Sequence, residues 1–245
     1  QALVAASRTV PDERSAHSLH GYFLRAGDTS VPILYKVDRI RDGHSFTTRR
    51  VVAIQHGRPI FNMSISFQVP EQGFSHQFDM PGAPAPETLP DEEALREAWA
   101  EQMPPEFAES FNRERPIEIR PIDPMVVFHP EKRPPRQMCW MKSRESLPDD
   151  PRLHQCVLAY LSDWSLLDTA TLPHAVSFMQ DNMQMASLDH AMWFHRPFRA
   201  DEWLLYVQDS PSASSSRGLN RGLVYDRKGS LVASAAQEGL MRQHT

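Results

Sequence analysis

The sequence predicts an α+β fold made of two tandem units, each an antiparallel sheet wrapped around a long helix. Three observations carry that expectation. Ser18-Leu19-His20-Gly21-Tyr22-Phe23-Leu24-Arg25 has a denser counterpart in Ser187-Leu188-Asp189-His190-Ala191-Met192-Trp193-Phe194-His195-Arg196, and internal similarity of this kind marks a duplicated unit. Alternating β-branched and aromatic runs follow each copy, joined by connections short enough for antiparallel pairing. The copies also stay in step: from Tyr35 to Gln68 is 33 positions and from Tyr206 to Gln237 is 31, with Leu34-Tyr35 aligned on Leu205-Tyr206. Two such units set edge to edge would cover one another's open strands.

The elements follow in order. Gln1-Ala2-Leu3-Val4-Ala5-Ala6-Ser7 favours a helix but has no N-cap before it, so it reads as the end of one. Strands are expected at His17–Arg25, Ile33–Ile40, Ser45–His56 and Pro59–Val69, with turns at Asp42-Gly43 and His56-Gly57. These complete a first unit over residues 1–85. A proline-rich connector over 86–115 carries one surface helix, marked by Leu95, Trp99 and Met103 at i, i+4 and i+8. The second unit, 116–245, opens with strands at Ile117–Arg120 and Gln137–Ser143. Its helix has Asp150 as N-cap and Pro151 at the first position, where a missing N–H costs nothing. Val157, Leu158, Leu161 and Trp164 mark its apolar face. Strands then follow at Gln184–Phe194, Glu202–Asp209, Ser215–Tyr225 and Leu231–Arg242, with a turn at Arg227-Lys228-Gly229.

Composition removes several classes of function. With 245 residues, 40% hydrophobic and 23% charged, the chain can bury a sizeable core. A net charge of −5 without an arginine-lysine stripe argues against a nucleic-acid partner. No apolar run is long enough to span a membrane. Cys139 and Cys156 are too few for a disulfide scaffold and read as reduced core thiols. With no secretory signal and no Ser-Lys-Leu terminus, a cytoplasmic location is the expectation.

The common chemical signatures are missing. There is no Gly-x-Ser-x-Gly elbow, phosphate-binding glycine loop, Cys-x-x-Cys or His-Glu-x-x-His. His190 and His195 stand five apart, on opposite faces of a strand, so no metal site is expected there. His190 reads as a strand-end or hydrogen-bonding residue. Asp163 falls within the expected helix among Leu161, Trp164, Leu166 and Leu167, which suggests a largely buried carboxylate needing partners. From composition alone, a solvent-facing or capping aspartate is the commoner reading. Ser187 and Gln237 are unremarkable by themselves.

Longer motifs carry more. His17-Ser18-Leu19-His20-Gly21-Tyr22-Phe23-Leu24-Arg25, Arg41-Asp42-Gly43-His44-Ser45-Phe46-Thr47-Thr48-Arg49-Arg50, Leu188-Asp189-His190-Ala191-Met192-Trp193-Phe194-His195-Arg196-Pro197-Phe198, Ser212-Ala213-Ser214-Ser215-Ser216-Arg217-Gly218 and Ala236-Gln237-Glu238-Gly239 occur in this order. Together they resemble the acyl-CoA thioesterase II family over essentially the whole chain. The resemblance implies a double hotdog fold, in agreement with the duplication, and hydrolysis of acyl-CoA to free acid and coenzyme A. That family usually has an opening strand and a Phe-Gly-Gly-Gln turn before the first helix. This chain starts inside that helix, so its first unit is expected to lack the N-terminal strand and helix start.

The resemblance, rather than any spacing, selects Asp163, Ser187 and Gln237 as the residues that hold the lytic water. In that expectation Gln237 and Ser187 orient the water and Asp163 accepts its proton. Backbone N–H groups, near a helix N-terminus, meet the developing oxyanion. Arg196, Arg199, Arg217 and Arg221 are candidate contacts for coenzyme A phosphates, against the equally frequent reading of exposed strand-end arginines. Coenzyme A is part of the substrate, and no separate cofactor is expected. A hotdog dehydratase or hydratase using His190 with Asp189 is one alternative; a non-catalytic acyl-CoA-binding module is another. Exposed sheet edges favour a homo-oligomer.

Overall fold

The computed structural model describes residues 1–100, 115–124 and 128–244. Helix α1 spans Ala2–Ser7, followed by β1 (Ser15–Phe23), β2 (Leu34–Asp42), β3 (Phe46–Gln55) and β4 (Arg58–Gln68). Helix α2 (Glu92–Trp99) lies in the connector. The second unit contributes β5 (Ile117–Pro121), β6 (Arg136–Ser143), α3 (Pro151–Leu161), β7 (Met183–Ser187), β8 (Asp189–Phe194), β9 (Leu204–Ser214), β10 (Arg217–Asp226) and β11 (Leu231–Gln243). Met103, expected on the connector's helix, lies outside the described residues.

These strands form one antiparallel sheet in the order β2-β3-β4-β1-β8-β11-β10-β9-β6-β5, with β7 beside β11. The units join where the two copies of the opening motif meet: Ser18 to Tyr22 on β1 pair with Trp193 to Asp189 on β8. From that junction the order repeats outward, β1-β4-β3-β2 on one side and β8-β11-β10-β9 on the other. Irregularities repeat too, at Ala53/Ile54 of β3 and at Val224/Tyr225 of β10. Counted from the turn glycines Gly57 and Gly229, Ile65 is the counterpart of Gln237, whereas the sequence alignment had paired Gln68 with it.

Local chemistry explains the turns. His56 and Gly57 both take positive φ, 49° and 71°, which matches a right-twisted two-residue hairpin. Ser215 and Ser216 do the same, at 49° and 57°. The sequence placed Ser215 in a strand and ended the preceding one at Asp209, because serines are weak signals for a left-handed turn. The structure instead extends β9 to Ser214 and starts β10 at Arg217.

Helix α3 begins as expected. The Asp150 carboxylate accepts the Arg152 N–H at 3.0 Å with Pro151 at the first position. It ends at Leu161, and Ser162 is its C-cap. Leu158 and Leu161 share a single core with Leu3 and Ala6 of α1 and with inward residues of both units, among them Ile65, Met192 and Val232. A smaller cluster on the other side of β6, β9 and β10 joins Trp140, Leu205, Tyr225 and Leu231 to Met80, near the end of the first unit, and to Leu89 of the connector. The segment leading into the connector is pinned there by a polar contact as well, Trp140 Nε1 donating to the Pro84 carbonyl at 2.9 Å. Among the described residues no helix is long and apolar enough to cross a membrane.

Candidate active site

Strand β11 supplies the first site residue. Its inward positions are Ala233, Ala235, Gln237 and Gly239, so alternation alone puts a carboxamide into an apolar face. Gln237 is 1% exposed, and a buried polar group at that depth needs partners.

The partners come from a break in the neighbouring strand. The sequence predicts one continuous strand over Gln184–Phe194, but the structure interrupts it at Leu188. Gly239 pairs with Ser187 and Ala236 with Ala191, so four steps along the β7–β8 side stand against three along β11. This is a β-bulge, and bulges re-aim side chains beside active sites. Ser187 and His190 are three residues apart and would face opposite sides of a regular strand; the extra residue turns both toward Gln237. Asp189 holds the interruption, its carboxylate accepting the Glu238 N–H at 2.7 Å. Leu188 remains paired through its N–H to the Glu238 carbonyl, at 2.9 Å.

A chain of hydrogen bonds results. Ser162 Oγ lies 2.9 Å from His190 Nε2. His190 Nδ1 lies 2.5 Å from Gln237 Oε1. Gln237 Nε2 donates to Ser187 Oγ at 2.7 Å, and Ser187 Oγ donates to Asp163 Oδ1 at 3.4 Å. The three residues selected by resemblance are therefore contiguous, and two further members, Ser162 and His190, complete the chain. Both are buried, His190 being 6% exposed. The sequence reads His190 as a strand-end or hydrogen-bonding residue, with a chemical role only in the dehydratase alternative. Its parity with Met192 and Phe194, both inward on β8, is the signal that places it on the core face. Ser162 gave no signal, since a hydroxyl at a helix end is common.

Asp163 differs from expectation in two respects. It lies beyond α3 rather than within it, and it is exposed rather than largely buried. The helix stops one residue earlier, at the Ser162 cap, where the buried Tyr206 hydroxyl donates to the Ser162 carbonyl at 2.9 Å. Ser165 then takes φ 63° and turns the chain back, so Leu161 and Leu166 reach the core while Asp163 faces outward. The helix end that reaches the site is the C-terminal one. A helix C-terminus presents carbonyls rather than N–H groups. Here the Leu158, Leu161 and Ser162 carbonyls accept from Ser162 N–H, Trp164 N–H and the Tyr206 hydroxyl, so this end of α3 is not the helix N-terminus expected to supply oxyanion donors.

An apolar cavity of about 320 Å³ opens beside this chain. Leu19, Phe61 and Met63 of the first unit and Cys156 and Ala159 of α3 line it, and Asp163 and His190 stand on its wall. Burial pushes the Cys156 thiol up to about 11 and the Cys139 thiol up to about 12, so neither is a thiolate nucleophile at neutral pH.

The remaining candidates sit elsewhere. Arg196 donates to the Leu231 carbonyl at 2.8 Å. Arg199 pairs with Asp149 and Asp201, Arg217 with Glu238, and Arg221 with Asp209. Arg217 also lines a polar cavity of about 520 Å³ with Lys132 and His174. His195 is exposed and meets Ser234 Oγ at 2.8 Å, on the face opposite His190.

Comparison with known proteins fits this architecture. The acyl-CoA thioesterase family profile matches residues 107–240, and the profile of the acyl-CoA thioesterase N-terminal domain matches residues 1–68. The chain is 45% identical over 250 residues to acyl-coenzyme A thioesterase 8 of Mus musculus, covering 99% of this chain and 78% of that protein. It is 42% identical over 242 residues to acyl-CoA thioesterase 2 of Haemophilus influenzae, covering 99% and 85%. A crystal structure of an acyl-CoA thioesterase II from Mycobacterium marinum superposes with a TM-score of 0.82 at 45% identity, over 100% of this chain and 87% of that one. A hot dog fold protein from Alicyclobacillus acidocaldarius, 16% identical, shares the fold with a TM-score of 0.77 over 99% of this chain and 85% of that one. The duplicated, edge-joined units are thus a double hotdog, and the chain belongs to the acyl-CoA thioesterase II family of thioester hydrolases.

Proposed function

We propose that this chain hydrolyses fatty acyl-CoA to free fatty acid and coenzyme A by direct attack of a water held by Asp163, Ser187 and Gln237. One observation carries the reading: the three side chains are contiguous in a hydrogen-bonded chain beside an apolar cavity. The acyl chain occupies that cavity, bringing the thioester carbonyl to its polar wall. Gln237 Nε2–H donates to the water oxygen, which aims a lone pair at the carbonyl carbon. The Asp163 carboxylate accepts the water's proton as the C–O bond forms. Collapse of the tetrahedral intermediate breaks the C–S bond, and the proton on Asp163 passes to the departing sulfur. Water is the only co-reactant, and no cofactor enters the sequence.

The dehydratase alternative needs a histidine-carboxylate pair free to move protons at adjacent carbons. Here Asp189 is engaged by the Glu238 N–H, and both His190 ring nitrogens have side-chain partners. For the coenzyme A phosphates, Arg217 is the strongest of the four arginine candidates. It shares its cavity with Lys132 and His174, a lining without carboxylates. Arg196, Arg199 and Arg221 stay candidates of lower rank.

The test is release of free thiol from saturated acyl-CoA by the purified chain. Thiol release at a rate proportional to enzyme supports hydrolysis. Thermal stabilisation by acyl-CoA without thiol release overturns it in favour of a binding module.

A further inference from the structure

We infer that His190, braced by Ser162, is a positioning residue that fixes which end of the Gln237 carboxamide faces the lytic water. The inference rests on the hydrolytic reading above. A carboxamide has two ends of nearly equal shape, one a donor and one an acceptor. Only the NH2 end can donate to the water and to Ser187 Oγ.

The direction of the chain follows from its two ends. Asp163, when ionised, only accepts, so Ser187 turns its O–H toward Oδ1. Ser187 Oγ then accepts, and the group 2.7 Å away on Gln237 must be the NH2. Gln237 Oε1 is left facing His190 Nδ1 at 2.5 Å, which must therefore carry a proton. In a neutral imidazole the other nitrogen is then an acceptor, and Ser162 Oγ stands 2.9 Å from it. Ser162 is placed there by the helix end, where its own carbonyl accepts the Tyr206 O–H at 2.9 Å. Its single hydroxyl proton has three acceptors in reach, His190 Nε2 at 2.9 Å, Met192 Sδ at 3.0 Å and the Ala159 carbonyl at 3.2 Å, and the inference assigns it to the nitrogen, the nearest and most basic of them. With an apolar side chain at 190, the carboxamide loses one of its two orienting contacts, only Ser187 Oγ still favours the donor end, and the acceptor end turns toward the water more often. The residue touches no reacting atom; it acts through Gln237.

The experiment is a double-mutant cycle on thiol release, with His190→Leu, Gln237→Ala and the double variant, and His190→Asn as the conservative replacement. His190→Leu is expected to lower kcat about 10- to 100-fold with KM changed less than about threefold. His190→Asn retains an amide N–H toward Oε1 and is expected to recover most of that loss. In the Gln237→Ala background, His190→Leu should cost little more, because coupled residues are non-additive. An equal loss in both backgrounds, or a change confined to KM, overturns the inference. Should His190→Leu not fold, Ser162→Ala takes its place in the same cycle with the same two outcomes. The 15N shifts of the His190 ring, recorded on the wild-type protein at about pH 8 where an ordinary imidazole is neutral, give an independent readout. A protonated Nδ1 with a bare Nε2 is expected, and the opposite tautomer contradicts the inference. If Gln237→Ala itself leaves kcat intact, it is the hydrolytic reading that fails instead.

Discussion

Gln237 shows how much chemistry one inward position can concentrate. Its carbonyl end is taken by His190 and its amino end by Ser187, inside an otherwise apolar face. Gln237→Glu keeps the shape and the acceptor toward His190 but removes the donor and sets a second carboxylate near Asp163. Loss of one aligned donor costs about 10²- to 10³-fold in kcat, and that is the drop expected in a thiol-release assay, with KM little changed. That Asp163, Ser187 and Gln237 belong together was suggested only by the family motifs, since a lone aspartate, serine or glutamine carries no signal of its own; the structure makes them contiguous. Asp163 was misjudged as buried because its apolar neighbours were read as one helix face; the helix ends at Leu161, two residues before it. The placement of His190 and Ser162 beside Gln237 stayed hidden because it depends on the fold's third dimension. The bulge that aims His190 cannot be counted from an uninterrupted strand pattern.

At the scale of elements, the segment after α3 matters most, because it carries Asp163 yet is neither long helix nor strand. It lies flat on the sheet at Gly239, where an added Cβ would stand 2.2 Å from Leu167 Cδ1. Gly239→Ala must push Leu167 away and lift the segment. The expected cost is about 1–3 kcal/mol of stability, typical of overpacking, with kcat falling more than KM rises; urea unfolding and steady-state kinetics check both. The same segment carries Asp168, whose carboxyl is pushed by burial up to about 6. A folded pKa above the unfolded one means the folded state holds its proton longer. Stability is therefore unaffected below about pH 4, falls as pH rises toward about 6, and stays lower above it. Asp168→Asn should flatten that decline and raise stability above about pH 6 by a kcal/mol or more, read as Tm across the range. Most strand and helix starts were legible in the sequence from alternation, glycine turns and the Asp150-Pro151 cap. The Ser215-Ser216 turn and the Leu188 break were not, since neither carries glycine, asparagine or proline.

The whole molecule divides its labour between the two copies. On β1 and β4 of the first unit, Leu19 pairs directly with Ile65. The corresponding places on β8 and β11 hold His190 and Gln237. One copy carries the polar chain, and the other presents apolar side chains, with Leu19 and Met63 lining the cavity. The duplication was readable from the opening motif, but its division of labour required the strand register. Ala53→Phe, at a buried position lining the cavity in the first unit, is expected to shorten the acyl chain accepted. One methylene changes pocket binding by about 1–3 kcal/mol, so kcat/KM should fall at least about tenfold for long acyl-CoA and much less for short ones. The most direct test of the central claim lies back at the second copy: thiol release from saturated acyl-CoA by wild type and by Asp163→Ala, side by side. Loss of the general base should lower kcat by about 10²-fold or more with KM nearly unchanged, whereas near-wild-type turnover by Asp163→Ala would contradict the mechanism.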